Sequence, residues 1–486
     1  MLAGISPRLV AQLWYTPCSK RPKSLRTGDL QGNSTRIKRA DSESPQEASE
    51  IALLTRMQLD RIAKRCFVLI TLLSIIVGNS CSPSDKHSGD LQRETPKFAI
   101  PSVFFGLHIQ RAATTTPWPP VPFATWRLWD AYVAWPDLEP QQGIWRFETL
   151  DKYLALAEEH KVEVLLPLGL SPAWASARPA EPSGYQPGFA AEPKEIQHWR
   201  DYVRAVATRY KGRIRFYEIW NEPNLKDFYT GSVDQMVTLV RESSKILKEV
   251  DPSITVVSPS ATGAFGTPWL EEFLGVGGGQ YVDVIGYHFY VTPEPPEAMV
   301  SQVLRVREIM AKYGVASKPL WNTESGWLIE NHKTEVKPKP GGFSKVLSDE
   351  EASSYVARSY ILNWAAGASR FYWYAWDDFV MGLTEADGTA IKPPAMAFAE
   401  VAKWLIGARM TSCTSDSANT WICQLSRESG YAAWIVWNPD RNLIFELPSS
   451  WGVRQKRDLS GLASDLSDSA KIDIGALPVL LEKPAQ

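Results

Sequence analysis

Two glutamates, Glu222 and Glu324, lie 102 positions apart, and each closes an apolar segment: Phe216-Tyr217-Glu218-Ile219-Trp220-Asn221-Glu222-Pro223 and Pro319-Leu320-Trp321-Asn322-Thr323-Glu324-Ser325. Aromatic and branched residues at this density favour strands, and Pro223, lacking an N–H, cannot continue one. Two carboxyls at two strand ends match the needs of acetal cleavage between sugars. One must stay protonated, to donate to the departing oxygen; the other must stay ionised, to attack or stabilise the anomeric carbon. An aromatic, partly dry pocket raises the first, and hydrogen bonds to the charged form keep the second ionised. Both glutamates have Trp and Asn one to three residues upstream.

Eight segments carry the composition of buried parallel strands: Val103–Ile109, Thr125–Trp129, Val162–Leu168, Arg215–Trp220, Thr255–Pro259, Asp283–Tyr290, Pro319–Thr323 and Arg370–Trp376. Between them, Phe147–His160, Glu195–Tyr210, Val233–Val250, Pro296–Tyr313 and Ser348–Ala366 show apolar stripes at helical spacing. The first crossover, Arg111–Pro122, is Pro- and Thr-rich and reads as a loop. This predicts an α/β fold, a (β/α)8 TIM barrel over residues 102–406, with its site at the C-terminal strand ends. Both glutamates fall there. So do His108 on the first strand, Arg127 on the second, His288 and Tyr290 on the sixth, and Trp373 and Trp376 on the eighth, all expected to face one crevice.

After the helical run Ala395–Ile406 the pattern turns short and alternating, at Trp421–Ser426, Tyr431–Trp437, Ile444–Leu447 and Val479–Glu482. Residues 407–486 therefore read as a small antiparallel β-sandwich packed against the barrel, and Lys97–Pro101, within a linker over 82–101, offers a further strand. Trp434 and Trp437 would equip this domain for a carbohydrate-binding role. Cys413 and Cys423, ten residues apart, are placed to close a hairpin by a disulfide in an oxidising compartment.

A net charge of −2 over 486 residues, with no basic patch interleaved with aromatics, argues against a nucleic-acid partner. No zinc-type Cys/His spacing and no phosphate-cradling glycine loop occurs. The 20 tryptophans, many beside polar residues at strand ends, suit stacking on sugar rings. Residues 1–56 are polar and aperiodic and read as disordered, upstream of a true start at Met57. From Met57 a basic stretch, an apolar run over Cys66–Val77 and the small residues before Cys81 form an export signal, too short for a membrane span. Cys81 then takes the position of a lipidated cysteine, which would attach the chain to the bacterial envelope; cleavage near Ser80 with release is the alternative.

With these strands and glutamates in place, the chain resembles the clan A glycoside hydrolases, retaining enzymes on (β/α)8 barrels. The resemblance rests on Trp-Asn-Glu-Pro at 220–223, Gly-Tyr-His-Phe-Tyr at 286–290 and Asn-Thr-Glu at 322–324. The opening Phe-Phe-Gly-Leu-His at 104–108 and the C-terminal β-domain look most like family 39, which includes β-xylosidases, α-iduronidases and bacterial exopolysaccharide endoglycosidases; family 5 is the nearby alternative. The resemblance implies Glu222 as general acid/base, Glu324 as nucleophile and Asn221 as partner of the sugar 2-hydroxyl. It implies that His288, Tyr290 and Arg127 hold Glu324 ionised, and that Trp376 floors the cleaved sugar. It implies a carbohydrate substrate and neither metal nor cofactor. The loops Arg111–Pro122, Ser171–Pro193 and Glu330–Gly342 would build the cleft walls. A glycan-binding envelope protein that grips without cutting is the rival reading.

Overall fold

The computed structural model describes residues 91–339, 342–466 and 470–483. The segment expected to be an export signal, residues 57–81 with Cys81, and residues 1–56 lie outside the described residues. Among those described, no helix is long and apolar enough to cross a membrane.

Eight parallel strands form the barrel: β1 Phe105–Leu107, β2 Thr125–Arg127, β3 Glu163–Leu168, β4 Phe216–Ile219, β5 Thr255–Val257, β6 Ile285–His288, β7 Leu320–Ser325 and β8 Ala368–Trp373. Neighbours pair in the order β5-β4-β3-β2-β1-β8-β7-β6, and a parallel bridge between Val257 and Val284 joins the two ends. A short extra strand, Ala261–Thr262, follows β5 and pairs with β6. The crossovers after β2 to β7 carry α1 Glu148–Glu159, α2 Ile196–Arg209, α3 Val233–Val250, α4 Thr267–Gly275, α5 Ala298–Lys312 and α6 Asp349–Ala365. Ser232 and Ser348 open α3 and α6 with capping boxes, each hydroxyl accepting from the N–H three residues on. The crossover after β1 is irregular, because its prolines remove helical donors.

Alternation along the strands sorts the side chains. Leu165, Phe216, Val257, Val284, Trp321 and Tyr372 pack together inside the barrel, while residues such as Phe105, Trp126 and Phe371 belong to the layer shared with the helices. Two strands cross this interior with glycine. A methyl on Gly286 would run into the Ser260 hydroxyl and Val257, so only glycine leaves room there. At the N-terminal end Arg370 lies over the rings of Phe216 and Trp321, at 4.4 and 4.3 Å, and pairs with Glu163 at 2.6 Å, sealing the barrel floor.

After α7, Pro393–Leu405, the chain forms a six-stranded antiparallel sheet from β9 Arg409–Ser415, β10 Trp421–Ser426, β11 Ala432–Trp437, β13 Gln455–Arg457, β14 Ala463–Asp465 and β16 Val479–Lys483. A ribbon of β12 Leu443–Glu446 and β15 Lys471–Ile474 accompanies it. Cys413 and Cys423 face each other across β9 and β10 and are joined as a disulfide. Lys97–Pro101 forms no strand; only the Ile100 backbone bonds to Gly407 and Ala408. Trp434 stacks on Trp451 and Trp437 on Trp421, and both Trp434 and Trp437 are buried, so these rings fill cores and present no binding face. The domain docks through Glu297, which bonds the buried Arg358 at 2.9 Å and the Trp437 indole at 2.8 Å.

Candidate active site

At the C-terminal end of the barrel two strands break their alternation, and each break delivers a glutamate. In β4, Phe216 and Glu218 point inward; then Trp220 takes a left-handed backbone (φ 69°) and buries its ring against Trp199 and Tyr229. Its indole donates to Phe228 O at 2.8 Å. Asn221 and Glu222 (φ 44°) are thereby turned into the cleft, where Glu222 N bonds Ser260 O. Left-handed non-glycine residues cost energy and concentrate at functional sites. In β7, Trp321 and Thr323 face inward while Asn322 bonds Asn363 of α6, so strict alternation would send Glu324 out. A bulge prevents this: pairing slips by one residue, from Tyr287–Asn322 to His288–Glu324 on one side and from Phe371–Asn322 to Trp373–Ser325 on the other. A bulge re-aims the side chains that follow it.

Arg127, wholly buried on β2, ties the two strand ends together. Its Nε donates to Glu218 at 2.5 Å, one Nη to Glu324 at 2.7 Å and the other to Asn221 Oδ1 at 2.8 Å. Burial opposes its charge, but Glu218 and Glu324 more than offset this and raise its pKa. Beneath it the Ser260 and Thr323 hydroxyls reach Glu218, and the His108 ring bonds Thr323 O at 3.1 Å through Nε2.

Glu324 also accepts the Tyr290 hydroxyl at 3.0 Å. His288 stands differently from the sequence expectation. Its Nδ1 is 2.9 Å from Glu222 and 3.9 Å from Glu324, so it is hydrogen-bonded to the first glutamate and not the second. Burial lowers its pKa to about 4, keeping the ring neutral. Burial pushes Glu222 up to about 7. Burial raises Glu324 to about 7 as well, opposed by His288 and by Arg127, which is in direct contact with it. One oxygen of Glu222, one of Glu324 and a nitrogen of His288 lie within 4.8 Å of one another. By distance alone this trio could hold a divalent cation, but the Arg127 guanidinium already occupies Glu324 and would repel one.

Trp373 and Trp376 do not join the cleft. On β8 the inward positions are Arg370 and Tyr372; Trp373 points with Phe371 toward the helices, against Trp327, and Trp376 is buried in that same outer core. His108 is likewise buried, one layer beneath the glutamates. The aromatic side chain at the end of β8 is Tyr374, only partly buried and 5.1 Å from the His108 ring. Its hydroxyl receives Gln110 Nε2 at 2.8 Å and donates to Asp130 at 2.7 Å, and Tyr185 donates to Asp130 at 2.5 Å. Sequence reading missed Glu218, Asp130, Tyr185 and Tyr374. Glu218 had a signal, a charge two residues from the inward Phe216 in an otherwise apolar strand; the others sit on loops without periodicity.

The family described as "Glycosyl hydrolases family 39" matches residues 128–440. A β-xylosidase of Geobacillus stearothermophilus is 27% identical over 201 residues, 36% of this chain; the match covers 39% of that relative's own length. Among solved structures, a family 39 glycoside hydrolase from the gut symbiont Bacteroides cellulosilyticus WH2 superposes with a TM-score of 0.62 at 19% identity, over 80% of this chain and 81% of its own. A GH39 β-xylosidase from Caulobacter crescentus does so with a TM-score of 0.57 at 19% identity, over 81% and 98%.

Proposed function

The chain belongs to glycosyl hydrolase family 39, and from that premise we propose that it hydrolyses O-glycosidic bonds with retention, by double displacement between Glu222 and Glu324. The observation that carries this reading is the pair itself, two carboxylate oxygens within 4.8 Å of each other in unlike surroundings. Retaining enzymes hold their carboxyls about 5–5.5 Å apart, and inverting ones about 6.5–9.5 Å, to admit a water. Arg127 and Tyr290 favour the ionised form of Glu324, whereas Glu222 meets a neutral histidine, so at neutral pH the proton belongs on Glu222.

In the first step Glu324 attacks the anomeric carbon while Glu222 gives its proton to the departing oxygen. In the second, Glu222 takes a proton from water, the water oxygen bonds to the anomeric carbon, and the Glu324 ester breaks. Asn221 Oδ1 is fixed by Arg127, which leaves its amide N–H groups for a sugar hydroxyl. β-Xylosides are the first substrates to try, since that is the activity named for the relatives, followed by oligosaccharides of bacterial exopolysaccharides. The export signal and the Cys413–Cys423 disulfide support action outside the cytoplasm.

The test is proton NMR of the first-formed product anomer, with mass spectrometry after exposure to a 2-deoxy-2-fluoro glycoside. The expected results are retention and a covalent adduct on Glu324, both lost in Glu324→Gln. An inverted product, or turnover that survives Glu324→Gln, overturns the mechanism.

A further inference from the structure

Asp130 has no task in the double displacement, yet it is a third carboxylate in the same cleft. It follows β2, three residues after Arg127, on a left-handed backbone (φ 55°), and Tyr132 beside it is left-handed too (φ 57°). Tyr185, from the loop after β3, donates to its Oδ1, and Tyr374, from the end of β8, donates to its Oδ2. The Asp130 charge counts among those that raise Glu324, while the charge of Glu324 acts on both tyrosines. Arg127, three residues before Asp130, bonds Glu324, and Tyr374 follows β8, which pairs with the strand carrying Glu324, so these groups stand at the same end of the barrel.

Three features separate Asp130 from an ordinary structural carboxylate. Among the described residues no lysine or arginine pairs with it within 4 Å, the ion-pair limit. The cation nearest in the strand, Arg127, is already shared by Glu218, Glu324 and Asn221. Finally, Asp130 is only partly buried, and each oxygen accepts a single tyrosine hydroxyl. A carboxylate oxygen has two lone-pair sites, so one acceptor site stays open on each. Two adjacent acceptors, held on both flanks and facing a cleft, fit donors that arrive in pairs.

Resting on the glycosidase reading above, we propose that Asp130 recognises the glycone by accepting two of its hydroxyl groups, and that the site selects neutral sugars over uronic acids. A uronate would bring a further negative charge to Glu324 and Asp130, while Arg127, the nearest cation in the strand, is fully engaged by Glu218, Glu324 and Asn221. Asp130 works by touching the sugar; Tyr185 and Tyr374 position it.

The test is binding by the full chain carrying Glu222→Gln, which stands in for the protonated acid and leaves Glu324 and its Arg127 contact in place, titrated calorimetrically with neutral trisaccharides of xylose, glucose, mannose and galactose, and with oligoglucuronate and oligogalacturonate. The expected result is that at least one neutral ligand binds and both uronates bind at least tenfold more weakly. Adding Asp130→Asn weakens the best neutral ligand about 10–100-fold, the range for a hydrogen bond to a charged group. That loss shrinks for analogues lacking one ring hydroxyl, whereas Tyr185→Phe, which only loosens the loop, weakens parent and deoxy ligands alike. The proposal is overturned by a uronate that binds as well as the best neutral sugar, by an Asp130→Asn effect below twofold, or by no binding to any panel member. The uronate comparison requires no Asp130 variant, so a failure of Asp130→Asn to fold leaves it decisive. Binding as described, with no hydrolysis by the unmodified protein, would remove the glycosidase reading and leave this one standing.

Discussion

At the residue scale the two glutamates divide one task through their neighbours. With Glu222 raised to about 7 by burial, kcat/KM for 4-nitrophenyl β-xyloside, or for whichever glycoside proves active, is expected to fall as pH climbs through about 7, when the acid loses its proton. Glu222→Gln removes that limb and costs about 10²–10⁴ on poor leaving groups, with much less loss on 2,4-dinitrophenyl glycosides, which leave without a proton. The same shift bears on stability. A folded-state pKa above that of the unfolded chain means a contribution that is complete in the ordinary glutamate range and below, and lost as pH rises through about 7. Glu222→Gln should therefore melt higher than the unmodified protein at pH 8, the gap closing toward pH 4 in calorimetric scans. Arg127→Met strands Glu218 and Glu324 in a dry interior and is expected to cost about 3–5 kcal/mol in urea unfolding, part of it recovered when Glu218→Gln is added. Glu222 and Glu324 were legible in the sequence because each closes an apolar run before a chain break. The place of His288 was not, because which carboxylate an imidazole meets depends on a one-residue slip in β7 that no local pattern encodes. The same limit misplaced Trp373 and Trp376: composition marked them as strand-end aromatics, but alternation along β8 turns Trp373 outward and the chain beyond buries Trp376.

At the element scale the eight barrel strands were legible from continuous apolar runs, their ends less so. β1 is only Phe105–Leu107, since Ser102–Phe104 coils into a 3-10 turn, and β7 runs on to Ser325 because the bulge keeps Glu324 within the ladder. α4 escaped reading, its nine residues including Pro268, Trp269 and Gly275, which blur a helical stripe. The strands β13 and β14 escaped too, being short and polar with little buried surface to enforce a pattern; β15 alternates Lys-Ile-Asp-Ile with both isoleucines buried, but four residues are too few to mark a strand. The β9–β10 hairpin gains from its disulfide mainly through the unfolded chain, which loses loop entropy. Cys413→Ala with Cys423→Ala is expected to lower stability by about 2–3 kcal/mol in denaturant titrations, on the loop-entropy scale for a closure this short. Turnover should stay unchanged, since the hairpin supplies no group to the cleft.

At the scale of the whole molecule, barrel and C-terminal sheet share Glu297, Arg358 and Trp437, and Ser354 of α6 bonds Ala476 O. Glu297→Ala leaves Arg358 buried without its counter-charge and Trp437 without its acceptor. The expected result is a loss of about 3 kcal/mol or more, seen as a lower urea midpoint, with KM little changed. The sealed floor has a different kind of consequence. Arg370, pressed on Phe216 and Trp321 and held by Glu163, closes the end opposite the glutamates, so the proposed reaction has a single doorway. The released alcohol and the water that follows it must pass through the same opening, in turn. A second sugar waiting there meets the glycosylated Glu324 before water does, and chain-lengthened products that accumulate with substrate concentration would record that queue.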